Sequence, residues 1–211
     1  MYCHNCGQKA FGNFCSHCGT KLITPEVTDS AGSVAAPHWS LEKNYTQLIN
    51  YPDVRNLIAG YAEQSSKKLT AEEFLGLIDI VFKPVSGISL AKMTDLLVSI
   101  YGKMGIKTGK KAKRSFELPI SEVIVKALCS LAKNGYPVKT VEQAVNGLAI
   151  IAKIPSDMWT WGGDLIITIE DMDSTTLVGI HVKIKGQLMD WGKSKKVIRK
   201  IMADIEGIPL P

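Results

Sequence analysis

The chain has 211 residues, of which 45% are apolar and 21% charged, and a formal net charge of +5. That length holds one sizeable domain, or a small one with appendages, and the composition is that of a globular protein. No apolar run approaches the roughly 18 residues of a membrane-crossing helix, the start Met1-Tyr2-Cys3 is not a secretory leader, and so mild a charge does not by itself imply nucleic acid.

The strongest local signal comes first in the chain. Cys3-His4-Asn5-Cys6 and Cys15-Ser16-His17-Cys18 are two C-x-x-C pairs separated by the eight residues Gly7 to Phe14. A stretch this short cannot bury enough apolar surface to fold alone. A metal supplies what is missing, about 10–16 kcal/mol for structural zinc in small peptides. Each C-x-x-C puts two thiolates on one tight turn, and Gly7 and Gly19 can take positive φ where the chain leaves it. Two such turns joined by a hairpin close the tetrahedron that Zn²⁺ prefers. Phe11 and Phe14 would form a small apolar floor, with Tyr2, Lys21 and Leu22 as flanking strand candidates.

Cys3, Cys6, Cys15 and Cys18 are therefore expected to bind one structural Zn²⁺, with no open position for catalytic water. His4 and His17 are alternative ligands, but four thiolates already complete the shell. A disulfide pairing would need an oxidising compartment, and a redox C-x-x-C would need a βαβ context that is absent. With zinc and four thiolates counted, the charge falls from +5 to about +3. These cysteines, Gly7, Gly19 and the repeated CGxK of Cys6-Gly7-Gln8-Lys9 and Cys18-Gly19-Thr20-Lys21 resemble the short zinc ribbons that open many bacterial proteins. The resemblance covers residues 1–22 and implies metal binding without naming a function. A reducing, cytoplasmic setting follows from the cysteine usage, and Cys129 reads as a packed thiol in a helix.

Residues 23–38 read as a flexible linker, small and polar in composition. Residues 39–105 read as a helical segment. Val54, Leu57, Ile58 and Tyr61 follow helical spacing. Thr70-Ala71-Glu72-Glu73 is a capping-box pattern, with Phe74, Leu75, Leu77, Ile78, Val81 and Phe82 behind it and Pro84 as the stop. A further helix is expected from Ser89 or Leu90, carrying Met93, Leu96, Leu97, Ile100, Tyr101 and Met104. Residues 106–114, with Lys110, Lys111, Lys113 and Arg114, read as an exposed basic loop. They do not meet the phosphate-loop pattern, because Gly105 and Gly109 are one residue too close and Lys111 stands where Ser or Thr is required.

Residues 115–211 carry the clearest architecture. Ile120, Val123, Ile124, Ala127, Leu128 and Leu131 make a helical stripe that Asn134-Gly135 ends. Strands are expected at 136–144 and 148–154 around the Asn146-Gly147 turn, then at 164–171 and 175–185 around Asp173-Ser174. In the last strand Val178, Ile180, Val182 and Ile184 point inward, and His181, Lys183 and Lys185 outward. A final helix starts near Ser194 with Val197, Ile198, Ile201, Met202 and Ile205 on one face. The fold class is α+β, an α-β-β-β-β-α domain whose antiparallel sheet has one face under helices. The element order resembles helix-grip-like domains.

Three constellations remain. Trp159-Thr160-Trp161-Gly162-Gly163-Asp164 and Met189-Asp190-Trp191-Gly192-Lys193 share a Trp-Gly core, resembling loops of uncharacterised bacterial α+β domains. Trp159, Trp161 and Trp191 would rim a pocket or stack on bases, or simply pack against the hairpin. Lys193, Lys195, Lys196, Arg199 and Lys200 crowd the last helix. With the basic loop they would meet phosphates or an acidic partner, or form a solvated face. No nucleophile elbow, H-E-x-x-H or glycine-rich cofactor loop is present. The expectation is a non-enzymatic binding or adaptor protein with a protein partner. The alternatives are a nucleic-acid binder using the ribbon and last helix, and a small-ligand carrier with a helix-grip-like pocket.

Overall fold

A computed structural model describes residues 18, 38–66, 69–80, 82–84, 89–92, 109–156, 162–184 and 192–211. The chain divides into two units, Met1–Ala36 and Pro37–Pro211. In the first only Cys18 is described, so the other cysteines of the expected ribbon and the expected linker before His38 lie outside the described residues.

The second unit opens with a 3-10 turn, His38–Leu41, and α1, Tyr45–Asn50, whose N-cap Asn44 side chain accepts from the Gln47 amide at 3.1 Å. Pro52 starts α2, Pro52–Glu63, at the position where its missing N–H has no helical partner to lose. Helix α3, Ala71–Ile80, has the reciprocal cap expected of Thr70 and Glu73. The Thr70 amide donates to Glu73 Oε2 at 2.9 Å, and the Glu73 amide to Thr70 Oγ1 at 3.1 Å.

The helix does not run on to Pro84. It gives way to a short strand, β1, Phe82–Pro84, so Phe82 is in the sheet and not on the helical stripe assigned to it. A three-residue strand ending in proline carries no alternation to read. Helix α4, Ile120–Lys133, starts on Pro119 and ends at Asn134, after which Gly135 takes φ 58°. Its expected stripe is buried, and so are Val125, Lys126, Cys129 and Ser130, because α2, α5 and the sheet all pack on it. A helix buried nearly all round sits at the centre of its layer.

Strands β3, Val138–Ala144, β4, Gly147–Ile154, β5, Gly163–Asp171, and β6, Thr176–Ile184, form the expected hairpins, and α5, Lys193–Gly207, closes the chain. The segment expected as a basic loop is in large part strand. β2, Gly109–Phe116, pairs antiparallel with β6 in unbroken register from Gly109 opposite Lys183 to Phe116 opposite Thr176. The described sheet has the order β1-β3-β4-β5-β6-β2, antiparallel except for the parallel β1–β3 pair.

One sheet face meets the helices. Val141, Ile150, Ile167, Val182 and Leu128 are fully buried there in one cluster with Ile124 and Ile201. The other face is not simply solvated. Leu90 lies over Ala144, Ala149, Ile151 and Ile166 in a second cluster, so β4 is buried on both faces along Leu148–Ala152. In β6 Val178, Ile180, Val182 and Ile184 lie in the helix-side cluster and His181 and Lys183 on the opposite face as expected, but that face is not open to solvent. Lys183 is only 8% exposed, and His181 is half-buried.

Candidate partner interface

The register of β2 divides its cations between two faces. Lys110, Ala112, Arg114 and Phe116 stand beside Val182, Ile180, Val178 and Thr176, on the helix side. Lys111, Lys113 and Ser115 stand beside His181, Gly179 and Leu177, on the opposite side. Only Phe116 is buried; Lys111, Lys113, Arg114 and Ser115 are exposed. Expected as one loop patch, these residues instead lie along the edge of a sheet.

Helix α5 packs on β2, β6 and α4. Its stripe Val197, Ile198, Ile201, Met202 and Ile205 is buried, which leaves Lys195, Lys196, Arg199 and Lys200 exposed. The acids of α5 lie in its second half and are engaged. Glu206 accepts both ends of the Arg114 guanidinium at 2.7 and 3.1 Å, and Arg114 also lies over the Phe116 ring at 5.5 Å. Arg114 therefore ties β2 to the end of α5. Asp204 accepts from Ser130 at 2.7 Å, Asn134 at 3.0 Å and Lys133 at 3.2 Å, which pins α5 to α4.

The first half of α5 is the reverse. Its first turn holds no acid, and its N-cap Gly192 sits at φ 79° without a side-chain cap. Lys193 donates to the Pro155 carbonyl at 3.2 Å. Among the described residues no ion pair engages Lys195, Lys196, Arg199 or Lys200. Cations near a helix N-terminus oppose its dipole, each at about 0.3–1 kcal/mol when exposed.

On the face away from the helices, Asp164 is buried, stands opposite both Lys183 and Lys153 in the register, and is bonded by Lys139. Burial, then Lys111 and Lys183, hold the His181 imidazole below its ordinary pKa, so it is neutral at physiological pH. Burial pushes the Cys129 thiol up to about 12, which makes it a packed thiol and a poor nucleophile. His38 lies edge-on to Tyr51 at 4.9 Å.

Of the four expected zinc ligands only Cys18 is described. It is exposed, in a turn. Trp159, Trp161 and Trp191 lie outside the described residues. A surface pocket of about 330 Å³ opens among Ser40, Leu118, Ile120, Asp171 and Thr175. It lies beside the start of α4 and the β5–β6 turn. Sequence reasoning missed β2. The available signal was the placement of Ala112 and Phe116 with Lys110 and Arg114 at every second position, masked by cations on the other parity.

No family model matches the chain, and no curated protein matches it. Among solved structures it is similar to the vertebrate conserved region of human METTL16, at 12% identity over 58% of this chain and 95% of that one, with a TM-score of 0.34. At that distance the likeness carries no inference about fold or activity.

Proposed function

We propose that this chain is a non-enzymatic binding protein that holds an anionic macromolecule, a protein in the first instance, on the basic surface of α5 and β2. The observation that carries this is the first half of α5. Lys195, Lys196, Arg199 and Lys200 are exposed without ion pairs among the described residues, on a helix whose own acids are spent on Arg114 and α4. Packing requires only the apolar stripe. Lys195 and Lys196, near the helix start, also work against its dipole, and an external anion accounts for a cluster of this kind.

The N-terminal Cys3, Cys6, Cys15 and Cys18 would hold one structural Zn²⁺ and give a second, small contact module in the manner of the zinc ribbons they resemble. Nucleic acid is the second reading, supported by the same uncompensated charge, since phosphates draw on lysine and arginine without regard to fold. The small-ligand reading has no specific observation in its favour; Ile124, Leu128, Ile150, Ile167 and Ile201 are buried together between sheet and helices. The proposal places the protein in a reducing, cytoplasmic setting, which four thiolate ligands would need.

The test captures partners on the full chain and on Lys195→Glu/Lys196→Glu/Arg199→Glu. A partner retained by the wild type and lost by the variant supports the proposal. A partner held equally by both would remove α5 from the interface.

A further inference from the structure

Among the described residues three large apolar side chains are exposed, Leu41 at 86%, Val145 at 79% and Met172 at 50%. A single exposed leucine is ordinary on a protein surface. These three are not scattered. Leu41 ends the 3-10 turn, Val145 lies in the β3–β4 turn and Met172 in the β5–β6 turn. Hydrogen bonds hold those segments together. The Asp171 amide donates to the Asn146 carbonyl at 2.9 Å. Lys43 reaches Asp171 at 2.6 Å, and the Gln143 side chain donates to the Lys43 carbonyl at 2.9 Å. Ser121, at the start of α4, donates to the Ser40 carbonyl. The three apolar residues therefore stand at one end of the domain, on backbone that is already fixed in place.

Two adjoining hollows open there. One, of about 330 Å³, is lined by Leu41, Leu118 and Thr175. The other, of about 220 Å³, is lined by Val145 and Leu148. Lys43, Asp171 and Asp173 border both. The charge at this end is the reverse of the chain's net +5. Glu117, Asp171 and Asp173 border the hollows against a single cation, Lys43. Lys43 bonds Asp171 and also lies in the field of Asp173, so one lysine is shared between two acids. Glu117 is exposed and forms no ion pair among the described residues.

We infer that this end of the domain is a docking surface for a basic segment of a partner protein, which seats leucine-sized side chains in the hollows and sets lysine or arginine against Glu117 and Asp173. An apolar centre within a polar rim is the anatomy of a specific interface, and the sign of the rim selects the partner it steers in. Methionine adapts to varied apolar partners. Anionic lipid surfaces and nucleic acids carry phosphates, which these carboxylates repel. The surface shares no residue with α5 or β2, and it stands or falls apart from the anionic partner proposed there.

The test uses the full chain and the labelled peptide Lys-Leu-Lys-Lys-Leu-Leu-Lys, read by fluorescence anisotropy. Its control is Lys-Ser-Lys-Lys-Ser-Ser-Lys, with equal charge and no apolar anchors. The first peptide should bind, and the control about tenfold or more weakly. Leu41→Ser/Met172→Ser, at two exposed sites, should weaken binding by about tenfold and leave the fold intact by circular dichroism. Glu117→Gln/Asp173→Asn should weaken it by about threefold at about 50 mM salt, and by less at about 200 mM. Asparagine suits the second position because Asp173 sits at φ 64°. Absence of binding, equal binding of both peptides, or binding unchanged in both variants would overturn the inference. A concentration-dependent dimer of the full chain in sedimentation velocity, abolished by Leu41→Ser/Met172→Ser, would overturn the partner assignment and make this end a contact between copies.

Discussion

Asp204→Ala should cost about 3 kcal/mol, because one carboxylate holds α5 to α4. Asp204 is 11% exposed at its side chain and accepts from Ser130, Asn134 and Lys133. Hydrogen bonds to a charged group are each worth about 1.5–3 kcal/mol, and a buried donor left alone costs about 1–3 kcal/mol. These do not add. Asn134 keeps its 2.7 Å bond to the Ser130 carbonyl, and the half-exposed Lys133 turns to water. The Ser130 hydroxyl, fully buried, retains only a 3.4 Å contact from Asn134. A net of about 3 kcal/mol is the middle of that range. With a urea slope near 2 kcal/mol/M, the midpoint should fall by about 1.5 M at unchanged slope. Asp204→Asn, which keeps one acceptor oxygen, should lose about half as much. A midpoint shift under about 0.3 M for Asp204→Ala would refute the assignment of α5 docking to this residue.

Three further outcomes follow from single features. Thr70→Ala removes half of the reciprocal cap on α3 and should lower thermal or urea stability by about 1 kcal/mol, with no loss if the cap is idle. His181 has a folded-state pKa below its unfolded value. Above about pH 6.5 both states are neutral and the residue contributes nothing; below it the unfolded chain takes up the proton first and stability falls. His181→Gln should therefore flatten the decline in melting temperature between about pH 7 and 5.5, and an unchanged decline would place the titration elsewhere. Cys3→Ser or Cys18→Ser should drop bound zinc, measured by elemental analysis, well below one per chain, and full retention would refute the four-thiolate site.

The elements most visible in the sequence are those whose local chemistry and burial agree. Thr70 and Glu73 announce the start of α3, and Asn134-Gly135 the end of α4. The alternation through Leu165, Ile167, Ile169 and then Val178, Ile180, Val182 shows the β5–β6 hairpin. β2 was illegible because an edge strand buries little, so its two parities both carry lysine or arginine and the 2-residue period is lost. β1 was illegible because Phe82 continues the apolar spacing of α3 and three residues hold no pattern. The burial of Lys183 and His181 depends on non-local cover over the second sheet face, of which Leu90 is part. The basic face of α5 was legible as a count of cations. The pairing of Arg114 with Glu206 could not be read, since it joins residues far apart in sequence.

The central claim is that the exposed Lys195, Lys196, Arg199 and Lys200 of α5 meet an anionic macromolecule. The most direct measurement is fluorescence anisotropy with labelled poly-glutamate, DNA and RNA at about 50 and 200 mM salt, on the wild type and on Lys195→Glu/Lys196→Glu/Arg199→Glu. The account predicts salt-sensitive binding of at least one probe, weakened at least about tenfold in the variant, which should fold as stably as the wild type because acids suit a helix N-terminus. Binding equal in both proteins, or absent for every probe, would contradict it.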